Sequence, residues 1–418
     1  MSTYLAYTSA ATGHLFPLVP GLLELQQRGH TVHLRAPAEH IDDVRAAGVR
    51  NVEALDPRIA AVEATDYKAT SPKERLTRGL EDLMGRGSYE LAQLRADIEA
   101  IGPDALLVDL NAYGACVGAV ASGLPWATVQ PTLLAYPQKD IPPFGLGLRP
   151  LVGPVGRLRN RVLNRMIVSM YSKAMMPGVN RLRAEAGLPQ LAHIIDHVAA
   201  PDRLLILTGE PLEYPRTGLP SFIRFVGHQR FDPPAEAPAW LQEDGDPWVL
   251  VTCSTEYQGD EELARAAIEA LRDEPVRVIA TMADAHGAEL PSAPNARVER
   301  FVPHGPVLER AAAVVCHGGM GIVQKSIAAG VPLAVVPFGR DQPEVARRVV
   351  EAGAGVMLPL KKLSPERLRH AVREAIGRRA PARAAGARLA QAGGPARFAD
   401  EAEDLVGSRD AANVLAAA

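Results

Sequence analysis

Short, uninterrupted apolar runs alternate along this chain with longer segments in which apolar residues recur every three to four positions. In the first half the runs are "TYLAYTSA", "HTVHLRA", "DALLVDL" and "PWATVQP". In the second they are "PWVLVTCST", "VRVIATM", "ARVERFV", "AAVVCHGG", "VPLAVVPF" and "AGVMLPL". Runs this short, bounded by turn-forming residues, predict strands buried on both faces. The periodic segments predict helices, among them one from about Phe16 to Arg28 and one from about Asp260 to Arg272. Strand and helix in alternation predict the α/β class, with doubly wound parallel sheets covered by helices.

A basic amphipathic stretch from about Gly156 to Ala186 leads towards "LTGEPLEYPRTGLPSFIRFVGHQRFDPPAEAPAW", whose proline and glycine content reads as a connection between domains. At 418 residues, and with roughly 150 residues per domain, two domains are the simplest expectation. The expected division is a first domain over 1–215, a linker over 216–240, and a second domain over 241–418 ending in an Ala- and Arg-rich helical tail.

Composition narrows the partners. The 45 Lys and Arg against 48 Asp and Glu leave a formal charge of −3, so no electrostatic footprint for nucleic acid is present. No apolar run reaches the roughly 18 to 20 residues of a membrane span, and "MSTYLAYTSA" has no basic segment ahead of an apolar one. The expectation is a soluble cytoplasmic protein, monomer or homodimer. Cys116, Cys253 and Cys316 are far apart in runs that read as buried, which is neither a disulfide framework nor a zinc pattern.

In such sheets, ligands gather at the carboxyl ends of the strands. His14 lies where the first strand has ended, ahead of Pro17, a residue suited to a first helical turn. Asp109 closes "DALLV" and falls on the same edge. A carboxylate so placed can orient an imidazole, fix its tautomer and stabilise the imidazolium formed when the ring takes a proton. Helix capping explains both residues as well, and the two readings stay open at this level.

The second half carries "AAVVCHGGMGIVQKSIAAG", a strand running into His317, Gly318, Gly319, Met320 and Gly321 and then a helix. Glycines there admit close backbone approach, and free N–H groups at a helix start favour phosphate. The pattern is neither G-x-G-x-x-G nor a Walker A loop, which sets aside nicotinamide cofactors and ATP. About twenty residues on, Asp341 and Gln342 open the next helix. A carboxylate beside a phosphate site should face a neutral, hydroxyl-rich part of the ligand, as a sugar is, although a plain cap accounts for it too. Thr252, Ser254 and Thr255 offer hydroxyls to phosphate oxygens on the same edge, as donor-binding candidates, and surface turn chemistry explains them nearly as well. Asp244 and Asp246 precede a strand and read as a solvated turn. His193 and His197 lack a third ligand and read as surface or packing histidines. "GLGLRPLVGPVGRLRN" reads as a flexible loop over the acceptor side.

Taken together, "TGHLFPLVPGLLELQQRGHTV" and "FVPHGPVLERAAAVVCHGGMGIVQKSIAAGVPLAVVPFGRDQPEVARRVVEAGAG" resemble the family 1 nucleotide-sugar-dependent glycosyltransferases, in the bacterial branch that decorates macrolides and other natural products. The resemblance implies a GT-B fold, two Rossmann-like domains facing across a cleft. It implies inverting, metal-independent transfer without a cofactor, from a uridine or thymidine diphosphate sugar to a small natural-product acceptor, and the Met, Leu, Tyr and Phe residues over about Asp56 to Ser88 and Tyr136 to Met175 suit an amphipathic or aromatic one. His14 would be the general base and Asp109 its partner, with Gly13 and Phe16 beside the acceptor. His317, Gly319, Met320 and Gly321 would hold the diphosphate, Asp341 and Gln342 the sugar, and Val302 to His304 the base. Many relatives have Asn where Phe16 stands and Gln where His304 stands, so acceptor contacts and the choice of uracil or thymine are left open. A nucleotide-sugar epimerase and a non-catalytic nucleotide-sugar-binding partner are the rival expectations.

Overall fold

The computed structural model describes residues 1–254, 258–282 and 290–417. The first sheet has seven strands: β1 (Thr3–Tyr7), β2 (Thr31–Ala36), β3 (Asn51–Ala54), β4 (Ala105–Asp109), β5 (Trp126–Gln130), β6 (Arg203–Ile206) and β7 (Ile223–Phe225). The second has six: β8 (Trp248–Thr252), β9 (Arg277–Thr281), β10 (Ala296–Glu299), β11 (Ala311–Cys316), β12 (Leu333–Val335) and β13 (Gly355–Met357). Every pairing is parallel. The expected α/β doubly wound architecture is present in both halves, with helices on both faces of each sheet.

The strand orders locate the site. The first sheet runs β3-β2-β1-β4-β5-β6-β7 and the second β10-β9-β8-β11-β12-β13. The direction of winding therefore reverses between β1 and β4, and again between β8 and β11. At such a reversal the connecting helices leave on opposite faces and open a crevice beyond the strand ends. The central strands are largely apolar because both faces are covered: every residue of β4, β5 and β8 is buried, with polar side chains mainly at the carboxyl ends. Each buried Leu or Val side chain there contributes roughly 1.5 to 3 kcal/mol.

Two features redraw the expected domain boundaries. Within the segment expected as linker, Ile223–Phe225 adds the seventh strand to the first sheet, pairing with β6 and burying Ile223 against Leu204 and Ile206. Three residues bounded by prolines and glycines give too short a pattern to signal a strand. The last helix, Pro395–Ala417, belongs by packing to the first domain: Phe398, Ala399, Ala402 and Leu405 are buried in the core containing Leu18, Leu22 and Leu25. The Tyr4 hydroxyl donates to the Ala402 carbonyl at 3.2 Å, and the Arg28 guanidinium bonds Asp400 at 2.7 Å and Glu403 at 2.9 Å. Gly21 admits this helix, since a Cβ there would overlap the Phe398 ring. The chain thus crosses between the domains twice.

Candidate active site

One cleft of about 1980 Å³ lies between the domains and receives residues from the carboxyl ends of both sheets. On the first-domain side, β1 ends at Tyr7 and a single helical turn, Thr12–Leu15, carries His14. A second helix, Val19–Gln27, then runs back with a proline in its first turn. The helix expected from about Phe16 to Arg28 is therefore present as Val19–Gln27, and the separate turn ahead of it holds His14 at the crevice. The neighbouring strand β4 ends at Asp109.

The His14 Nδ1 lies 2.7 Å from Asp109 Oδ2. A carboxylate only accepts, so Nδ1 carries the proton and donates it, which leaves the lone pair on Nε2. Asp109 is 2% exposed, and its other oxygen accepts the Asn111 backbone N–H at 2.7 Å. The Asn111 side-chain amide donates to His14 Nε2 at 3.3 Å. Asn111 thus touches both members of the pair from one turn, and two bonds, not one, select the same tautomer. Sequence reading missed Asn111, because its position two residues beyond Asp109 acquires meaning only once the turn folds back on the pair. Behind it, Glu90 is fully buried and accepts the Gly114 N–H at 2.9 Å. Burial pushes its carboxyl up to about 8, with the Asp109 charge adding in the same direction.

Phe16 packs edge-on against His40 and beside Phe231, and both Gly13 and Phe16 line the cleft. His197, expected as an unremarkable histidine, stacks on Tyr113 with ring centroids 5.5 Å apart and lines the same wall. Burial lowers its imidazole to about 4. Tyr113, Tyr171, Leu80 and Met175 make this wall largely apolar and aromatic.

Across the cleft, β11 ends at Cys316 and delivers His317, 8% exposed, over the turn into the helix Met320–Ala328. Gly318 has φ +99°, in the left-handed region that glycine enters without strain. A Cβ on Gly319 would lie 2.5 Å from His317 Nε2, so glycine is what lets the ring lie across the turn. Around Gly321 there is open space, and it faces the cleft. Burial lowers the His317 imidazole, while Asp260, 3.8 Å from Nδ1, opposes that shift. Nδ1 itself has no hydrogen-bond partner among the described residues. The Ser254 N–H donates to Asp260 at 2.6 Å, and its buried Oγ has no partner among the described residues. Thr255 lies outside the described residues.

The remaining expected donor contacts divide. Asp341 faces the cleft and accepts the Thr132 hydroxyl from the first domain at 2.6 Å. Gln342 also lines the cleft and is anchored in its loop: its Oε1 accepts the Phe338 and Gly339 N–H groups at 2.8 and 3.0 Å, and its Nε2 donates to Gln258 at 2.7 Å. At 2% exposure its amide shapes the loop that presents Asp341. Val302 has its side chain in the core, which leaves its backbone to face the cleft. Burial lowers the His304 imidazole to about 4. Arg340 holds φ +52°, strained for a residue with a Cβ, and forks onto Asp66 of the first domain at 2.8 and 2.9 Å. Among the described residues, no group of three or more His, Cys, Asp or Glu is placed to hold a metal ion.

Known proteins share this sequence pattern and this fold. Residues 265–397 match the family described as "Erythromycin biosynthesis protein CIII-like, C-terminal domain". The 4'-demethylrebeccamycin synthase of Lentzea aerocolonigenes is 32% identical over 394 residues, covering 89% of this chain and 91% of that protein. The chain belongs to the family 1 natural-product glycosyltransferases. Its fold is that of the glycosyltransferase of kitacinnamycin (TM-score 0.75, 24% identity, 97% of this chain and 99% of that one). It is also that of the glycosyltransferase VinC, solved in complex with DTDP (TM-score 0.71, 22% identity, 97% and 100%). The fold expected from the resemblance, GT-B, is therefore the fold observed, and the glycosyltransferase is an enzyme of natural-product biosynthesis type.

Proposed function

We propose that this enzyme moves the sugar of a uridine or thymidine diphosphate sugar to a hydroxyl of a small amphipathic or aromatic acceptor, with inversion at the anomeric carbon. The observation that carries the reading is the 2.7 Å His14–Asp109 pair on one rim of the cleft, with the His317 glycine turn on the other. VinC, which has the same fold, was solved in complex with DTDP, and this supports a nucleoside diphosphate as the donor's leaving group here.

In this mechanism His14 Nε2, released from Asn111, takes the proton of the acceptor hydroxyl. The oxygen then bonds the anomeric carbon as that carbon's bond to the diphosphate oxygen breaks, and the electron pair leaves with the diphosphate. Its charge is met by the N–H groups of the Gly319–Gly321 turn, the start of the following helix and the His317 ring, with no cofactor or metal required. Asp109 stabilises the imidazolium that forms. Asp341 receives the sugar hydroxyls once the domains part from the Thr132 contact, and the Tyr113 and Tyr171 wall takes the aglycone.

The test is incubation with uridine and thymidine diphosphate sugars and a panel of phenolic and macrocyclic acceptors, followed by NMR of the product. Transfer with inverted anomeric configuration is expected. Retained configuration refutes the direct displacement. Conversion of the donor sugar without acceptor moves the protein to the epimerase class.

A further inference from the structure

We propose that the outer face of the helix Gly153–Glu185 docks on the surface of an anionic lipid bilayer. Eight of the eleven large apolar side chains exposed among the described residues fall between Leu146 and Met170; Leu146 and Met170 line the cleft, and the other six do not. Exposed apolar residues scattered singly are ordinary, but so dense a cluster marks a contact surface. On the helix they form a stripe: Val155 is 75% exposed, Leu158 63%, Val162 50% and Met166 61%. These follow one another at three- and four-residue spacing, so they share one face.

The charges beside the stripe say what kind of surface it meets. Between Asp140 and Glu185 the sequence has eight Arg or Lys and no Asp or Glu, in a chain whose overall charge is −3. Arg157, Arg161 and Arg165 are four apart and make a cationic row alongside the apolar one, with Lys173 beyond. Arg161, Arg165 and Lys173 have neither an ion pair nor a hydrogen bond among the described residues. Arg157 has only Asp140, at 4.0 Å. The same face of a second copy offers no carboxylate for these cations to meet. An apolar ridge on one helix, flanked by cations of which only Arg157 has an ion pair among the described residues, is the form that lies in the interface of an anionic bilayer, its side chains entering about 5 to 10 Å. No helix among the described residues is long and apolar enough to cross a membrane, and the contact proposed is peripheral.

The opposite face of this helix lines the cleft through Asn164, Ile167, Val168, Tyr171 and Met175. Docking by the outer face therefore sets the acceptor wall one helix diameter from the lipid, where an amphipathic acceptor would concentrate.

The test is flotation of the full chain with phosphatidylcholine vesicles and with vesicles containing phosphatidylglycerol. Binding to the anionic vesicles only is expected, weakening as salt is raised. Each cation near the surface is worth about fivefold in partition, so Arg161→Ala with Arg165→Ala should lose about 25-fold. Val162→Glu with Met166→Glu should abolish binding while the far-ultraviolet circular dichroism is kept. Failure of the wild type to float with anionic vesicles at low salt overturns the proposal, as does undiminished flotation of the folded Val162→Glu, Met166→Glu variant. A dimer in solution that this variant splits also overturns it, by making the stripe a contact between copies.

Discussion

Replacing Asp109 with Asn removes the charge from the His14 partner while leaving its size unchanged. The contact is 2.7 Å between Nδ1 and Oδ2, with the His14 side chain 20% exposed and that of Asp109 3%. With charge centres about 4 Å apart and an effective dielectric near 20, the carboxylate would favour the imidazolium by about 4 kcal/mol. Water at the exposed edge of the ring screens part of this, so about 2 to 3 kcal/mol is a fair expectation in the transition state. At about 1.4 kcal/mol per factor of ten, that is a loss of roughly 10²-fold in kcat. The loss grows if the new amide donates to Nδ1, because the lone pair then moves there and Nε2 carries the proton, the wrong tautomer for a base. The assay is kcat with donor and acceptor both saturating, beside the Kd of uridine or thymidine diphosphate by calorimetry. The nucleotide site proposed here is across the cleft, so Kd should stay within about twofold. A kcat within about threefold of wild type, with intact nucleotide binding, would refute the reasoning.

Other outcomes follow from the same geometry. Gly319→Ala places a methyl where His317 Nε2 now lies 2.5 Å away, so the ring must turn off the glycine turn; nucleoside diphosphate affinity should fall about tenfold or more by calorimetry, with little change in melting temperature. Asp341→Ala should raise the donor KM by about tenfold, whereas Thr132→Ala, which only frees Asp341 from its 2.6 Å bond, should leave it unchanged or lower it. Arg348→Met strips the counter-charge from the fully buried Glu344 and leaves Glu213 with Arg216 alone, and should cost about 3 to 5 kcal/mol in urea unfolding. The Glu90 carboxyl, raised to about 8 from an ordinary 4.5, binds its proton more tightly in the folded state, so its contribution is complete below about pH 4.5 and is lost as pH rises through 8. Glu90→Gln, which keeps an acceptor for the Gly114 N–H, should therefore flatten the fall in melting temperature between pH 5 and pH 8.5.

The sequence made much of this site readable because strand ends are readable. Asp109 and His317 directly follow runs of consecutive apolar residues and His14 comes shortly after one, and a parallel sheet brings such ends to one edge whatever their separation along the chain. Side-chain commitments were hidden. Gln342 and Asp341 look equivalent at a helix start, yet one bonds two backbone N–H groups of its own loop and the other reaches the opposite domain. Asn111 gave no signal because its partners are two residues and ninety-seven residues away, and only the fold makes both near. The return of the last helix to the first domain was equally silent. Its apolar stripe at Phe398, Ala402 and Leu405 states that it packs, and only the complementary notch at Gly21 states where.

The central claim is that His14 Nε2 removes the acceptor proton, and the most direct measurement is single-turnover transfer by His14→Ala with donor and acceptor saturating. A positioned base is worth about 10² to 10⁴ in rate, so the variant should lose that much while binding nucleoside diphosphate as the wild type does. Transfer by His14→Ala at the wild-type rate would contradict the account.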